Sequence, residues 1–178
     1  MSRLRIVPVN RFESTTLHRL GLCLEERFLL EAAVERALIV PATALNRERD
    51  QFFFNTLAAR LGAAHPHTDD AILGVTEFDL YRTSQRFVFA GVSDDKRVAI
   101  VSTARLHSEH DARDGGNMLF QRTLKQATHA LGRFFGLNPC HTDRCVMAVA
   151  TTVYDIDASD SHLCESCMRR NSARRQSS

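Results

Sequence analysis

No stretch of the 178 residues comes near the roughly 18 consecutive apolar residues that a membrane-spanning helix requires. The opening MSRLRIVPV has an apolar run too short for a secretory leader, broken by Pro8 and followed by no small-residue cleavage site. A cytosolic protein without a membrane partner is therefore expected. Strong charge is missing as well. The net charge is +2, and without Arg169, Arg170, Arg174 and Arg175 the body stands near −2. Nucleic-acid binders carry a basic stripe across the folded surface, so no specific nucleic-acid partner is expected. The Ser/Arg/Gln-rich residues 169–178 have no apolar area to bury and read as a disordered tail after a domain of residues 1–168. Contact of this tail with an anionic partner is the lesser alternative.

What is present suits one globular domain. The hydrophobic share of 44% and charged share of 25% are those of a soluble protein long enough for a full core. Alternation over residues 4–9 reads as a first strand. Ser14 can cap a helix reaching Phe28, with Leu17, Leu20 and Leu24 on one face. Residues 30–40 suit a strand leading to Pro41, although their Glu/Ala/Arg content also suits helix. Residues 46–50 read as a polar loop, followed by a helix with Phe53, Leu57 and Leu61 on one face and Gly62 as its stop. His65-Pro66-His67 is a turn whose histidines could bind metal but are expected to be solvated. Apolar runs at residues 71–75, 87–91 and 98–101 read as buried strands, the last two joined by a hairpin turn at Ser93-Asp94-Asp95-Lys96. The Gly-containing residues 107–117 read as a mobile loop. A helix over 118–135 follows, with Phe120, Leu124, Ala127, Leu131 and Phe134 forming an apolar stripe. Arg122, Gln126, His129 and Arg133 step along another face, and Gly136 ends it.

Of the five cysteines, Cys23 sits alone in LGLCLEERFLL and reads as a small buried hydrophobe. The other four form two hooks, Cys140-x4-Cys145 and Cys164-x2-Cys167. In a reducing compartment such spacing points to a closed structural zinc site of four thiolates. Two disulfides or free thiols are the alternative.

The residues before the first hook carry a second pattern. A zinc-peptidase helix of the metzincin type reads H-E-x-x-H-x-x-G-x-x-H and is followed by a methionine turn. Laid on it without a gap, His129 takes the first ligand position, Gly136 the helix-breaking glycine and Met147 the methionine turn. Ala130 stands where the general base belongs, Arg133 at the second ligand and Pro139 at the third. In this respect the sequence resembles the archaemetzincins, in which the third histidine is followed directly by C-x4-C-x-M and later by C-x-x-C. Further likeness lies in Arg49-Asp50-Gln51-Phe52, in Ile72-Leu73-Gly74-Val75-Thr76 with Asp79-Leu80-Tyr81, in Phe87-Val88-Phe89, and in Ala99-Ile100-Val101-Ser102-Thr103. It covers nearly the whole chain before the Arg-rich tail.

The resemblance implies an α+β metzincin-like single domain. A twisted mixed sheet of about five strands, two to three helices and a C-terminal four-cysteine zinc segment are expected. It also implies a zinc peptidase, and here the residues depart from it. A catalytic zinc needs three protein ligands with a fourth position open, and only His129 survives. A cation about 4 Å from a divalent metal costs roughly 8 kcal/mol at an effective dielectric near 20, and arginine cannot deprotonate to relieve this. Loss of a general base removes about 100- to 10,000-fold in rate. One structural zinc, no catalytic zinc and no ordinary peptidase turnover are expected. His141, Asp143, His107 or His110 could replace a ligand only by moving, and none supplies a base. The expected function is a pseudo-peptidase that takes an extended peptide along an edge strand between Phe87 and Val92. Arg133 and His129 would then form an anion-recognising floor, unless Arg133 pairs internally with Glu109 or Asp111. The competing expectation is an aminopeptidase-like metalloenzyme with rearranged ligands.

Overall fold

The structure is a computed structural model that describes residues 3–66, 69–107 and 116–175. Its centre is a pair of parallel strands, β5 (Ala71–Thr76) and β8 (Val98–Ser102), buried at every position. Each is flanked on both faces, which is why both read as continuous apolar runs rather than alternating ones. β1 (Leu4–Pro8) pairs in parallel with β5 and with the short edge strand β2 (Ala32–Val34). β7 (Ala90–Val92) pairs antiparallel with β8 and closes the other side. The result is a mixed five-stranded sheet in the order β2-β1-β5-β8-β7.

The two-residue period of the strands sorts the core. Leu73, Val75, Ala99 and Val101 face α1 (Ser14–Phe28) and α3 (Asn117–Phe134). Ile72, Val98 and Ile100 face α2 (Phe54–Ala64) on the opposite side. The α3 stripe Phe120, Leu124, Ala127 and Leu131 is buried on the sheet, and each large side chain in it contributes about 1.5–3 kcal/mol. Gly136 takes φ 80°, a left-handed conformation that suits glycine and stops α3 where the pattern required it.

Several elements differ from the sequence expectation. Residues 30–40 contribute only β2 and an isolated bridge between Val9 and Leu38, because β2 pairs on one side alone and no neighbour extends it. The segment read as a polar loop is a hairpin of β3 (Leu45–Asn46) and β4 (Gln51–Phe53), which joins β6 (Leu80–Tyr81) in a second small sheet. α2 begins one residue later than Phe53 and runs past Gly62, with Phe54, Leu57, Ala58 and Leu61 buried. Packing of those four outweighs the roughly 1 kcal/mol glycine penalty. Cys23 is half-buried against the main core.

Two short helices add to the three expected. α4 (Val153–Ala158) opens with a capping box of Thr152 and Asp155. α5 (Glu165–Arg175) replaces the disordered tail expected from residue 169 through Arg175. Cys164 just before it and Cys167 in its first turn join the thiol cluster, and Asn171 is buried beyond them. A helix anchored at its start no longer bears the full cost of nucleation, which a reading of composition alone does not capture. Among the described residues no helix is long and apolar enough to cross a membrane. His67, Glu109, His110 and Asp111 lie outside the described residues.

Candidate metal centre and cleft

The four sulfurs of Cys140, Cys145, Cys164 and Cys167 all lie within 4.8 Å of one another. Cys140 Sγ is 3.8 Å from Cys164 Sγ, and Cys145 Sγ is 3.9 Å from Cys167 Sγ. All four are free thiols. A tetrahedron of thiolates about 2.3 Å from zinc has edges of about 3.8 Å, so the residues present fit such an ion. Backbone N–H groups of Thr142, Met147 and Cys164 and the Arg170 guanidinium donate to these sulfurs. Burial pushes the Cys145 thiol up and the Cys167 thiol to about 12. Hydrogen bonds draw the Cys140 thiol down and, against burial, the Cys164 thiol to about 6, so a cation is what would let the two raised thiols ionise with the other two.

This centre also braces the neighbouring turn. Cys140 N–H donates to the Met147 carbonyl at 2.9 Å, and Met147 is fully buried among the cysteines, Leu137, Val146 and Leu163. Met147 in turn packs on α3 at Gly132, where a Cβ would stand 2.4 Å from its Sδ. Gly132→Val forces this contact apart, and a loss of about 1–3 kcal/mol is expected. Thermal unfolding measures it, and an unchanged midpoint contradicts the contact.

His129, on the α3 face above the turn, places Nδ1 3.0 Å from the Val146 carbonyl. A carbonyl only accepts, so Nδ1 carries the proton and Nε2 keeps its lone pair. Burial holds the imidazole below its ordinary value, against the pull of the Val146 carbonyl and with help from the Arg133 charge. Ala130 is fully buried in the main core and Pro139 is exposed. Arg133 reaches past the end of its own helix, Nη1 donating to the Leu137 carbonyl at 3.0 Å. There it satisfies a carbonyl of the turn after Gly136 and keeps its charge near the C-terminal end of α3, the favourable dipole position. His141 and Asp143 are exposed. Among the described residues the four cysteines are the one group of three or more metal-capable side chains.

Beside His129 runs a cleft of about 330 Å³. Phe87, Val88, Phe89 and Ala90 form one wall, Gln126 and His129 the floor, and Val149, Ala150 and Thr151 the other wall, with Gln85 at its rim. Arg133 is not among these residues; its guanidinium is on the Leu137 carbonyl instead. The β7 wall is held from behind. Gln51, buried to 5% exposure, donates to Asp79 and to the Arg86 carbonyl, and accepts from Arg49. Asp79 also binds Arg105, which lies over the Phe87 ring. The Arg49-x-Gln51 pattern therefore shapes this wall. On the other side Asp155 accepts from Thr151 and Thr152, while Arg122 clasps Asp157 and Lys125 caps the Ile156 carbonyl.

The edge of β7 is partly open. Phe89 and Ser93 bond to β8 through Ser102 and Val98, so antiparallel alternation turns the N–H and C=O of Ala90 and Val92 away from the sheet. Arg82 Nη2 takes the Val92 carbonyl at 2.6 Å, and the Leu80 carbonyl takes Val88 N–H at 2.8 Å. Ala90 N–H and C=O, with Val92 N–H, have no partner among the described residues. Gln126 had not been singled out as a site residue from sequence. Its signal was the polar stepping of Arg122, Gln126, His129 and Arg133 along one helix face.

A helix ending at a left-handed glycine over a methionine turn, below an antiparallel edge strand, defines a zinc-peptidase scaffold with a four-cysteine centre beneath it. The family model described as Peptidase family M54 matches residues 8–172, and the chain belongs to that family. It is similar to the archaemetzincin of Methanocaldococcus jannaschii, 33% identical over 132 residues, 74% of this chain and 72% of that one. The crystal structure of archaemetzincin from Methanopyrus kandleri matches with TM-score 0.85 at 26% identity, over 98% of this chain and 96% of that one. That of Archaeoglobus fulgidus, complexed with malonate, matches with TM-score 0.76 at 26% identity, over 94% and 99% of the two chains.

Proposed function

We propose that this member of the family binds an extended peptide without cutting it, and holds one structural zinc through Cys140, Cys145, Cys164 and Cys167 but no catalytic zinc. When bound, the zinc supplies structure alone, since four thiolates close its coordination. The observation that carries this reading is the state of α3 beside an open cleft. Ala130 is buried in the core, Arg133 is committed to the Leu137 carbonyl, and Pro139 offers no ligand. His129 Nδ1 is committed to Val146, leaving one nitrogen where a catalytic zinc needs three ligands. The rearranged-ligand reading calls on His141 or Asp143, which are exposed and restore neither a base nor a third ligand. A soluble cytoplasmic setting accords with free, clustered thiols.

The cleft and the open β7 edge favour a peptide as occupant, through β-augmentation. Ala90→Pro tests this. It removes an N–H that makes no bond to β8, and an edge strand tolerates proline at such a position. One lost hydrogen bond of about 1.4 kcal/mol is about tenfold in affinity. Fluorescence polarisation with a peptide selected on the wild-type protein from a heptapeptide library is expected to show this loss at unchanged thermal stability. Equal affinity would remove β-augmentation from the account.

A further inference from the structure

The floor of the cleft carries a polar pair that the peptide reading leaves unused. Gln126 is 8% exposed, faces the cleft, and its carboxamide has no hydrogen-bond partner among the described residues. The side chain is packed on the floor while its carboxamide is committed to no described protein group, which leaves its donors and its acceptor available to a ligand in the cleft. One turn further along α3, His129 lines the same cleft with Nδ1 fixed on Val146. Residues three apart on a helix share a face. The floor thus presents one N–H donor group and one acceptor oxygen from Gln126, and one acceptor nitrogen from His129.

We infer that Gln126 and His129 form a specificity site for a primary carboxamide, the side chain of glutamine or asparagine in the bound peptide. The inference rests on the peptide-binding reading and names the residue that the site selects. A primary carboxamide has one acceptor oxygen and two N–H donors. Its oxygen accepts from the Gln126 NH2 group, one N–H donates to Gln126 Oε1, and the other donates to His129 Nε2. A carboxylate has acceptors only and faces two further acceptors. An ammonium finds both acceptors but leaves the Gln126 N–H donors unpaired. A backbone amide holds its N–H and C=O on opposite sides and cannot meet Gln126 with both.

The test uses alanine pentapeptides, N-acetylated and C-terminally N-methylated, with Gln, Asn, Glu or Leu at the centre, titrated calorimetrically into the full chain. Free propionamide is followed in parallel by the side-chain NMR signals of Gln126 and His129. The Gln or Asn peptide is expected to bind at least about tenfold more tightly than the Glu and Leu peptides, the equivalent of one net hydrogen bond. In Gln126→Leu, checked for folding by thermal unfolding, the preference should vanish. Propionamide should shift both signals. Four peptides of equal affinity, unaltered by Gln126→Leu, overturn the carboxamide site and leave peptide binding standing. Propionamide shifts without binding of any peptide uphold the site and remove the peptide reading. No response to any probe overturns the inference.

Discussion

Replacing Cys145 and Cys167 together with serine is expected to release the zinc and unfold the C-terminal part of the chain. Both side chains are buried, at 3% and 0% exposure. The apolar cluster around them contains only Leu137, Val146, Met147 and Leu163 besides the cysteines. A structural zinc site contributes about 10–16 kcal/mol of apparent binding energy, comparable with the about 5–15 kcal/mol that holds a whole domain together. So small an apolar cluster cannot replace it. Hydrogen exchange should show protection lost over residues 140–175, with β5 and β8 still protected because their burial does not involve the cysteines. The loss should also reach His129, whose Nδ1 depends on the Val146 carbonyl next to Cys145. Zinc content should fall from one per chain to none. A double variant that keeps wild-type protection over residues 140–175 would contradict a structural zinc site.

The second large effect is expected from placing the ligand and base types of the metzincin motif at positions 130, 133 and 139. Arg133→His and Pro139→His together supply the two missing ligand types beside His129. The glycine turn at Gly136 and the floor at Met147 are already in place to bring them together. Arg133→His also removes a fixed cation from the helix turn that follows His129, a like charge for a divalent metal. This pair should take up a second zinc, read by metal analysis. Adding Ala130→Glu should bring chelator-sensitive peptidase activity, with the base worth about 100- to 10,000-fold over the pair. Position 130 is fully buried, so the glutamate carries a desolvation cost, and measuring the pair first keeps metal uptake separate from it. If the pair folds and still binds one zinc, the scaffold has drifted beyond its ligands.

Much of this architecture was legible in the sequence because local pattern and tertiary environment agree there. β5 and β8 are unbroken apolar runs since helices or sheet cover both faces. The α3 stripe matches its packing, and Gly136 stands where a left-handed residue is needed. The cysteine spacing brought four sulfurs to one point without any help from periodicity.

What was not legible is held by partners distant in sequence. β3, β4 and β6 are two or three residues long and owe their pairing in part to Gln51, whose carboxamide reaches residues 28 and 35 positions away. α5 looked like a disordered tail because its anchor is the thiol cluster rather than an apolar face. The direction of the Arg133 side chain depends on a free carbonyl at Leu137, which a motif cannot show. Gln126 sat in plain view on the polar face of α3, but its burial is created by the two cleft walls.

Native mass spectrometry of the full chain, purified without chelators and with zinc in modest excess, tests the central claim most directly. One zinc per chain, lost in Cys145→Ser/Cys167→Ser and retained in His129→Ala, is the predicted result. Two zincs per chain, one of them lost in His129→Ala, would contradict it.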